Sequence, residues 1–110
     1  MNKLGFAPEL VSLIKNGSKK YTYRLGDKYS SVKIGDQIEF LDSSNKVPFG
    51  IVEITEKSIL DFGNLPIDRV GHEVYKSKVE MRKIFSSYYN QPILDHYKFL
   101  VLGFKVIRIY

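Results

Sequence analysis

Gly17-Ser18-Lys19-Lys20-Tyr21-Thr22-Tyr23-Arg24 places polar, potentially reactive side chains between two apolar runs, and the reading of the whole chain turns on it. A Gly-bounded turn that leads into alternating rings and polar groups is a loop entering a strand, a place where chemistry is commonly presented. Along Tyr21–Leu25 the period of two puts Tyr21 and Tyr23 on one face and Thr22 and Arg24 on the other, which pairs a hydroxyl with a guanidinium. Lys19 and Thr22 are three apart, so a continuous strand would send them to opposite faces. They share a site only if Lys19 sits on the turn.

Upstream, Pro8 to Asn16 carries Leu10, Val11, Leu13 and Ile14 at helical spacing, with Pro8 suited to the first turn and Gly17 just past the end. Downstream, Gly35-Asp36 marks a turn before Gln37–Leu41, and the polar connection Asp42–Lys46 leads to Val47–Ile54. These two segments read as a strand pair, in which Pro48 and Gly50 indicate an edge or bulged start to the second strand. From Ile59 to Lys76 the pattern is irregular. Ser77-Lys78-Val79-Glu80 has capping-box spacing and opens a second helix with Met81, Ile84, Phe85 and Tyr88 on its apolar face. Pro92 closes that region, and Tyr97–Ile109 reads as a long, central final strand bent or bulged at Gly103. Two short helices among about five strands give an α+β class with a small, curved or barrel-like mixed sheet.

The 110 residues suit one compact domain over 1–110, and 44% apolar with 14% aromatic residues provide for a folded core. No apolar run approaches the roughly 20 residues that span a bilayer, and Met1–Phe6 lacks the apolar core of a signal peptide, so no membrane partner and a cytoplasmic location are expected. The absence of cysteine excludes disulfides, a thiolate nucleophile and thiolate zinc sites; with His72 and His96 as the only imidazoles, no metal and no cofactor are expected. Seventeen Lys/Arg against twelve Asp/Glu leave a net charge of +5, which favours polyanionic partners.

The ordered set Gly17-x-Lys19-x-x-Thr22-x-Arg24, Gly35-Asp36-x-Ile38, Phe49-Gly50, Leu65, Glu73, Ser77, Glu80 and a closing Phe104-Lys105-Val106 strand resembles the ASCH domain family over nearly the whole chain. The resemblance implies a PUA-like β-barrel of about five to six strands, with two or three short helices bordering a cleft suited to RNA or a modified nucleoside. Some small stand-alone bacterial members are amidohydrolases that deacetylate N4-acetylcytidine with a Lys, a Thr and a Glu. Lys19 and Thr22 match by position in the motif, and Glu73 matches in a region of variable spacing. The chain departs from the pattern at Lys20, where another Thr is usual, and at Val74, where Gly is common.

On that basis Lys19, Thr22 and Glu73 are the expected catalytic set. Amide hydrolysis needs a nucleophile, a proton acceptor and stabilisation of an oxyanion; Thr22 attacks or positions water, Lys19 activates it if burial keeps the amine partly neutral, and Glu73 passes the proton to the leaving amine. Arg24, Lys20, Tyr29 and Lys33 are the expected nucleobase- or RNA-binding residues, Arg24 by pinning a phosphate or stacking on a base. Two other functions fit the same residues: a non-catalytic RNA-binding module, and a metal-independent ribonuclease. Each residue also has a structural reading: Lys19 a solvated turn lysine, Arg24 an ion pair with a carboxylate such as Asp36, Tyr21 and Tyr23 half-buried core. A lone loop histidine is more often structural, and His72 is given no catalytic role. Lys33, Lys46, Lys57, Lys76, Lys78, Arg82 and Lys83 are the candidates for a basic rim, the last three grouped on the exposed side of the second helix.

Overall fold

The computed structural model describes residues 2–110. Five strands, β1 (Lys3–Phe6), β2 (Tyr21–Leu25), β3 (Gln37–Asp42), β4 (Val47–Asp61) and β5 (Lys98–Ile109), form one mixed sheet in the order β1-β3-β4-β5-β2. β1 runs parallel to β3, and all other pairs are antiparallel. Helix α1 (Pro8–Lys15) joins β1 to β2; helix α2 (Lys78–Tyr89) precedes β5, and a 3-10 turn (Phe62–Asn64) follows β4. The fold is α+β, a curled PUA-like half-barrel.

β5 explains the two cores. Its alternate residues Leu100, Leu102 and Phe104 enter one cluster with Leu4, Ile38, Phe40 and Ile54, while Phe99 and Val101 enter a second with Phe62, Met81, Phe85 and Ile93. A strand buried on both faces reads as a continuous apolar run rather than an alternating one, as Phe99–Leu102 does. Ile14 of α1 seals the first cluster, and Met81 and Phe85 of α2 seal the second. Three register shifts bend the long strands: opposite Phe40/Leu41 at the Pro48–Gly50 start of β4, at Ile51/Val52, and at Ile54/Glu56 facing Gly103 and Phe104. Such irregularities increase local twist and let a five-stranded sheet curl.

The two outer strands, β1 and β2, are brought together by this curl and bridged by one side chain: an Arg24 Nη2–H on β2 donates to the Gly5 carbonyl on β1 at 2.8 Å. One expectation needs correction, and one strand was not read from the sequence. β4 continues to Asp61, beyond Ile54, because Ile59, Leu60 and Asp61 pair with Leu100, Phe99 and Lys98; Ile59 faces solvent, so this stretch lacks the pattern of a strand with a buried face. β1 gave no periodic signal because it has four residues, of which Leu4 and Phe6 point inward.

Candidate functional site

The connection from α1 to β2 turns Lys19 inward. Gly17 adopts φ +84°, which favours glycine, and the Lys19 N–H then folds back onto the Leu13 carbonyl at 3.0 Å, satisfying a helix-terminal acceptor. The Lys19 side chain is 3% exposed. It sits on the turn, so it reaches the same cavity as Thr22 of β2.

A second segment, 62–77, delivers the carboxylate. Gly71 has φ +90°, and its carbonyl accepts from both Lys20 N–H (2.6 Å) and Tyr21 N–H (3.1 Å), which docks the loop on the start of β2. Two residues on, Glu73 Oε2 lies 2.6 Å from Lys19 Nζ. His72 packs flat on Tyr23, with ring centroids 3.9 Å apart at 8°, and its Nδ1 is 3.1 Å from the Glu73 carbonyl and 3.5 Å from Glu73 Oε2. Both neighbours are acceptors, which assigns the proton to Nδ1 and leaves Nε2 as the acceptor of the ring.

On β2, Thr22 and Arg24 share a face: Arg24 Nε–H donates to Thr22 Oγ1 at 3.1 Å. The guanidinium also lies over Phe6, 4.6 Å from the ring centroid. Its partners are a hydroxyl, a carbonyl and a ring, and it makes no salt bridge among the described residues; the anticipated pairing with Asp36 does not occur, since Asp36 Oδ2 accepts instead from the Lys33 N–H at 2.9 Å.

Lys19, Thr22, Arg24, His72 and Glu73 line one cleft of about 250 Å³ at the seam between β1 and β2. α2 supplies an aromatic wall of Phe85, Tyr88 and Tyr89, and Phe6 and Leu10 face it from the β1–α1 side. The volume suits one planar ring. Burial lowers the Lys19 ammonium below its ordinary value of 10.5 and outweighs the stabilising effect of Glu73. Burial would raise the Glu73 carboxyl, but the Lys19 cation and His72 reverse this and hold it below its usual range. His72 is pulled to about 4, first by burial and then by the Lys19 cation, so it is neutral near pH 7 and its contact with Glu73 is not an ion pair. The cleft therefore holds a buried lysine, a carboxylate in contact with it, a hydroxyl and a guanidinium that lacks a counter-ion. Among the described residues, no group of three or more His, Asp or Glu is placed to hold a metal ion.

The structure thus brings Lys19, Thr22, Glu73 and Arg24 into one cavity and leaves Lys20, Tyr29 and Lys33 outside it. Lys20 is exposed on the far side of the β2 entry, Tyr29 packs against the first core cluster beneath Lys28, and Lys33 is exposed on the turn held by Asp36. The expected basic group on α2 is largely spent on structure. Lys78 donates to the Phe62 and Leu65 carbonyls, and Arg82 binds the Ile93 carbonyl and Asp95, so only Lys83 of the three is freely exposed. The sequence reading missed the burial of His72, the Gly5 carbonyl and Tyr89. Phe85, Tyr88 and Tyr89 do recur at helical spacing, a signal that was available.

No family model matches this sequence, and no curated protein does either. Solved structures do match its fold. Protein EF3133 from Enterococcus faecalis, of the family model DUF984, is 17% identical over 100% of this chain and 78% of its own, with a TM-score of 0.78. An ASCH domain from Lactobacillus crispatus is 18% identical over 99% of this chain and 81% of its own, TM-score 0.68. Hypothetical protein PH0355 is 24% identical over 96% and 97%, TM-score 0.71. The chain has the fold of the ASCH-domain structures. At these identities the likeness carries the fold and not an activity.

Proposed function

We propose that this protein binds a modified nucleobase in the seam cleft and hydrolyses its exocyclic amide, with N4-acetylcytidine as substrate and cytidine and acetate as products. The observation that carries the reading is the buried Lys19 ammonium in 2.6 Å contact with Glu73, in the cavity that Thr22 and Arg24 also line. Burial lowers the Lys19 pKa and so raises the fraction of free amine, the condition for a lysine to act as a base. The Thr22 oxygen attacks the acetyl carbon while Lys19 takes its proton, and Arg24 Nε, 3.1 Å away, favours the alkoxide. The Glu73 carboxylate stabilises the ammonium that forms, takes from it the proton that came from Thr22, and hands that proton to the departing N4 as the C–N bond breaks. Water then attacks the acyl carbon, Lys19 takes its proton and returns it to the Thr22 oxygen as the acyl C–O bond breaks, and acetate is released. Tyr88 and Tyr89, which line the cleft, offer rings against which the pyrimidine can stack.

The test is chromatographic: purified protein is incubated with N4-acetylcytidine and cytidine is followed with time. Cytidine formed by the wild type and lost in both Lys19→Ala and Glu73→Gln is the expected result. Turnover should rise with pH as Lys19 deprotonates, with a midpoint below the ordinary lysine value of 10.5. No cytidine at high enzyme concentration overturns the reading.

A further inference from the structure

About half of the lysines and arginines of this chain have a partner among the described residues. Lys3, Lys19, Arg69, Arg82, Lys98 and Lys105 meet carboxylates, Lys57 and Lys78 donate to main-chain carbonyls, and Arg24 is held by Thr22 and Gly5. Two of the lysines with no acidic neighbour, Lys15 and Lys20, converge with Lys105 on a second hollow of about 370 Å³ beside the C-terminal end of α1. Among the described residues no carboxylate lines it. Lys105 reaches Glu53 at 3.5 Å, but its side chain is 61% exposed, and such a pair is worth little in water.

The hollow follows from the topology. β2 begins at Tyr21, opposite Gly103, whereas β5 runs on to Ile109, so beyond Gly103 the side of β5 away from β4 has no strand beside it. The Phe104 N–H still bonds the Lys20 carbonyl at 3.0 Å, and the end of α1 faces the gap, leaving a concave space lined by buried Phe104 and by Lys15, Lys20 and Lys105, with the Lys15 ammonium 5.9 Å from the Phe49 ring at its edge. Lys19 borders both this hollow and the seam cleft. The Gly17–Lys20 connection lies between the two.

We propose that this hollow holds the sugar-phosphate backbone of single-stranded RNA next to the nucleotide whose base occupies the cleft. The assignment of RNA rests on the nucleobase reading above; the lining, in which every charged residue is a lysine, rests on the structure alone. A concave floor with its aromatic ring buried suits a phosphate chain better than a flat bilayer surface, which calls for protruding apolar side chains. The natural ligand is then a nucleotide within a strand, and affinity depends on salt through these three lysines.

The test uses fluorescence anisotropy with a labelled single-stranded oligoribonucleotide across a salt series. Relative to wild type, the triple variant Lys15→Gln/Lys20→Gln/Lys105→Gln should lose at least tenfold in affinity and about two units of log–log salt slope, at roughly 0.7 per phosphate contact. The charge-matched variant Lys28→Gln/Lys76→Gln/Lys83→Gln, which lies outside both hollows, should keep the wild-type slope. Absence of wild-type binding, equal losses in both triple variants, an unchanged slope in the first, or equal affinity for DNA of the same sequence would each overturn the proposal. If the triple variant melts early, the single variants Lys15→Gln and Lys105→Gln are read for slopes reduced by about 0.7 each. Free N4-acetylcytidine is assayed in parallel. Turnover without RNA binding overturns this inference alone, and lysine-dependent RNA binding without turnover overturns only the catalytic reading.

Discussion

An ammonium withdrawn from water is costly unless an anion meets it, and Lys19 is met by a carboxylate 54 residues further along the chain. Burial first, and the Lys19 cation second, set the protonation of the neighbouring His72. His72 is held neutral, with a pKa of about 4 against 6.5 when unfolded. Between these values the unfolded chain binds the extra proton, so stability falls as pH drops from 6.5 towards 4, by up to about 3 kcal/mol. Urea unfolding across that window should show the loss in wild type and a flatter profile in His72→Gln. Under the proposed function, the same variant should lower turnover of N4-acetylcytidine, because the ring that holds Glu73 is gone. A contrasting result is expected at Tyr23, whose buried hydroxyl finds no hydrogen-bond partner among the described residues. Tyr23→Phe removes an unsatisfied group and keeps the stacking face, so its melting temperature should equal or exceed that of wild type.

At the level of elements, the loop carrying His72 and Glu73 depends on one glycine. A Cβ at Gly71 would lie 3.1 Å from Lys20 Cβ and 3.2 Å from Tyr21 Cδ2, and φ +90° is strained for any L side chain. Gly71→Ala should cost about 1–3 kcal/mol in urea unfolding and should lower turnover more than affinity, since it moves the carboxylate rather than the aromatic wall. Helix α2 shows how periodicity informs and misleads. Its start was legible: Ser77 Oγ accepts from the Glu80 N–H at 3.1 Å as the spacing implies, while the Glu80 carboxylate reaches one residue past the cap to the Lys76 N–H at 2.6 Å. Its charged side was misread, because a helical wheel cannot show that Lys78 and Arg82 fold over Phe62 to reach carbonyls at the helix flanks.

For the whole molecule, β4 and β5 pass through both cores and couple them. Phe40→Ala in the first cluster and Phe62→Ala in the second should each cost about 3–5 kcal/mol, and both should still unfold in one transition. Tyrosine fluorescence and far-ultraviolet circular dichroism should give the same midpoint; separated midpoints would show two independently folding units. Local order along the chain was written in the sequence: α1 between Pro8 and Gly17, the capped start of α2, the two faces of Tyr21–Arg24, and the doubly buried run in β5 all follow from spacing that a few neighbouring residues enforce. The shape of the site was not. Whether Lys19 is solvated or buried, whether Arg24 meets Asp36 or bridges Gly5 and Thr22, and whether His72 stacks or floats depend on how far the sheet curls and where the 62–77 segment docks. Those are contacts between residues distant in sequence, fixed by packing rather than by local preference, and only the tertiary structure decides them.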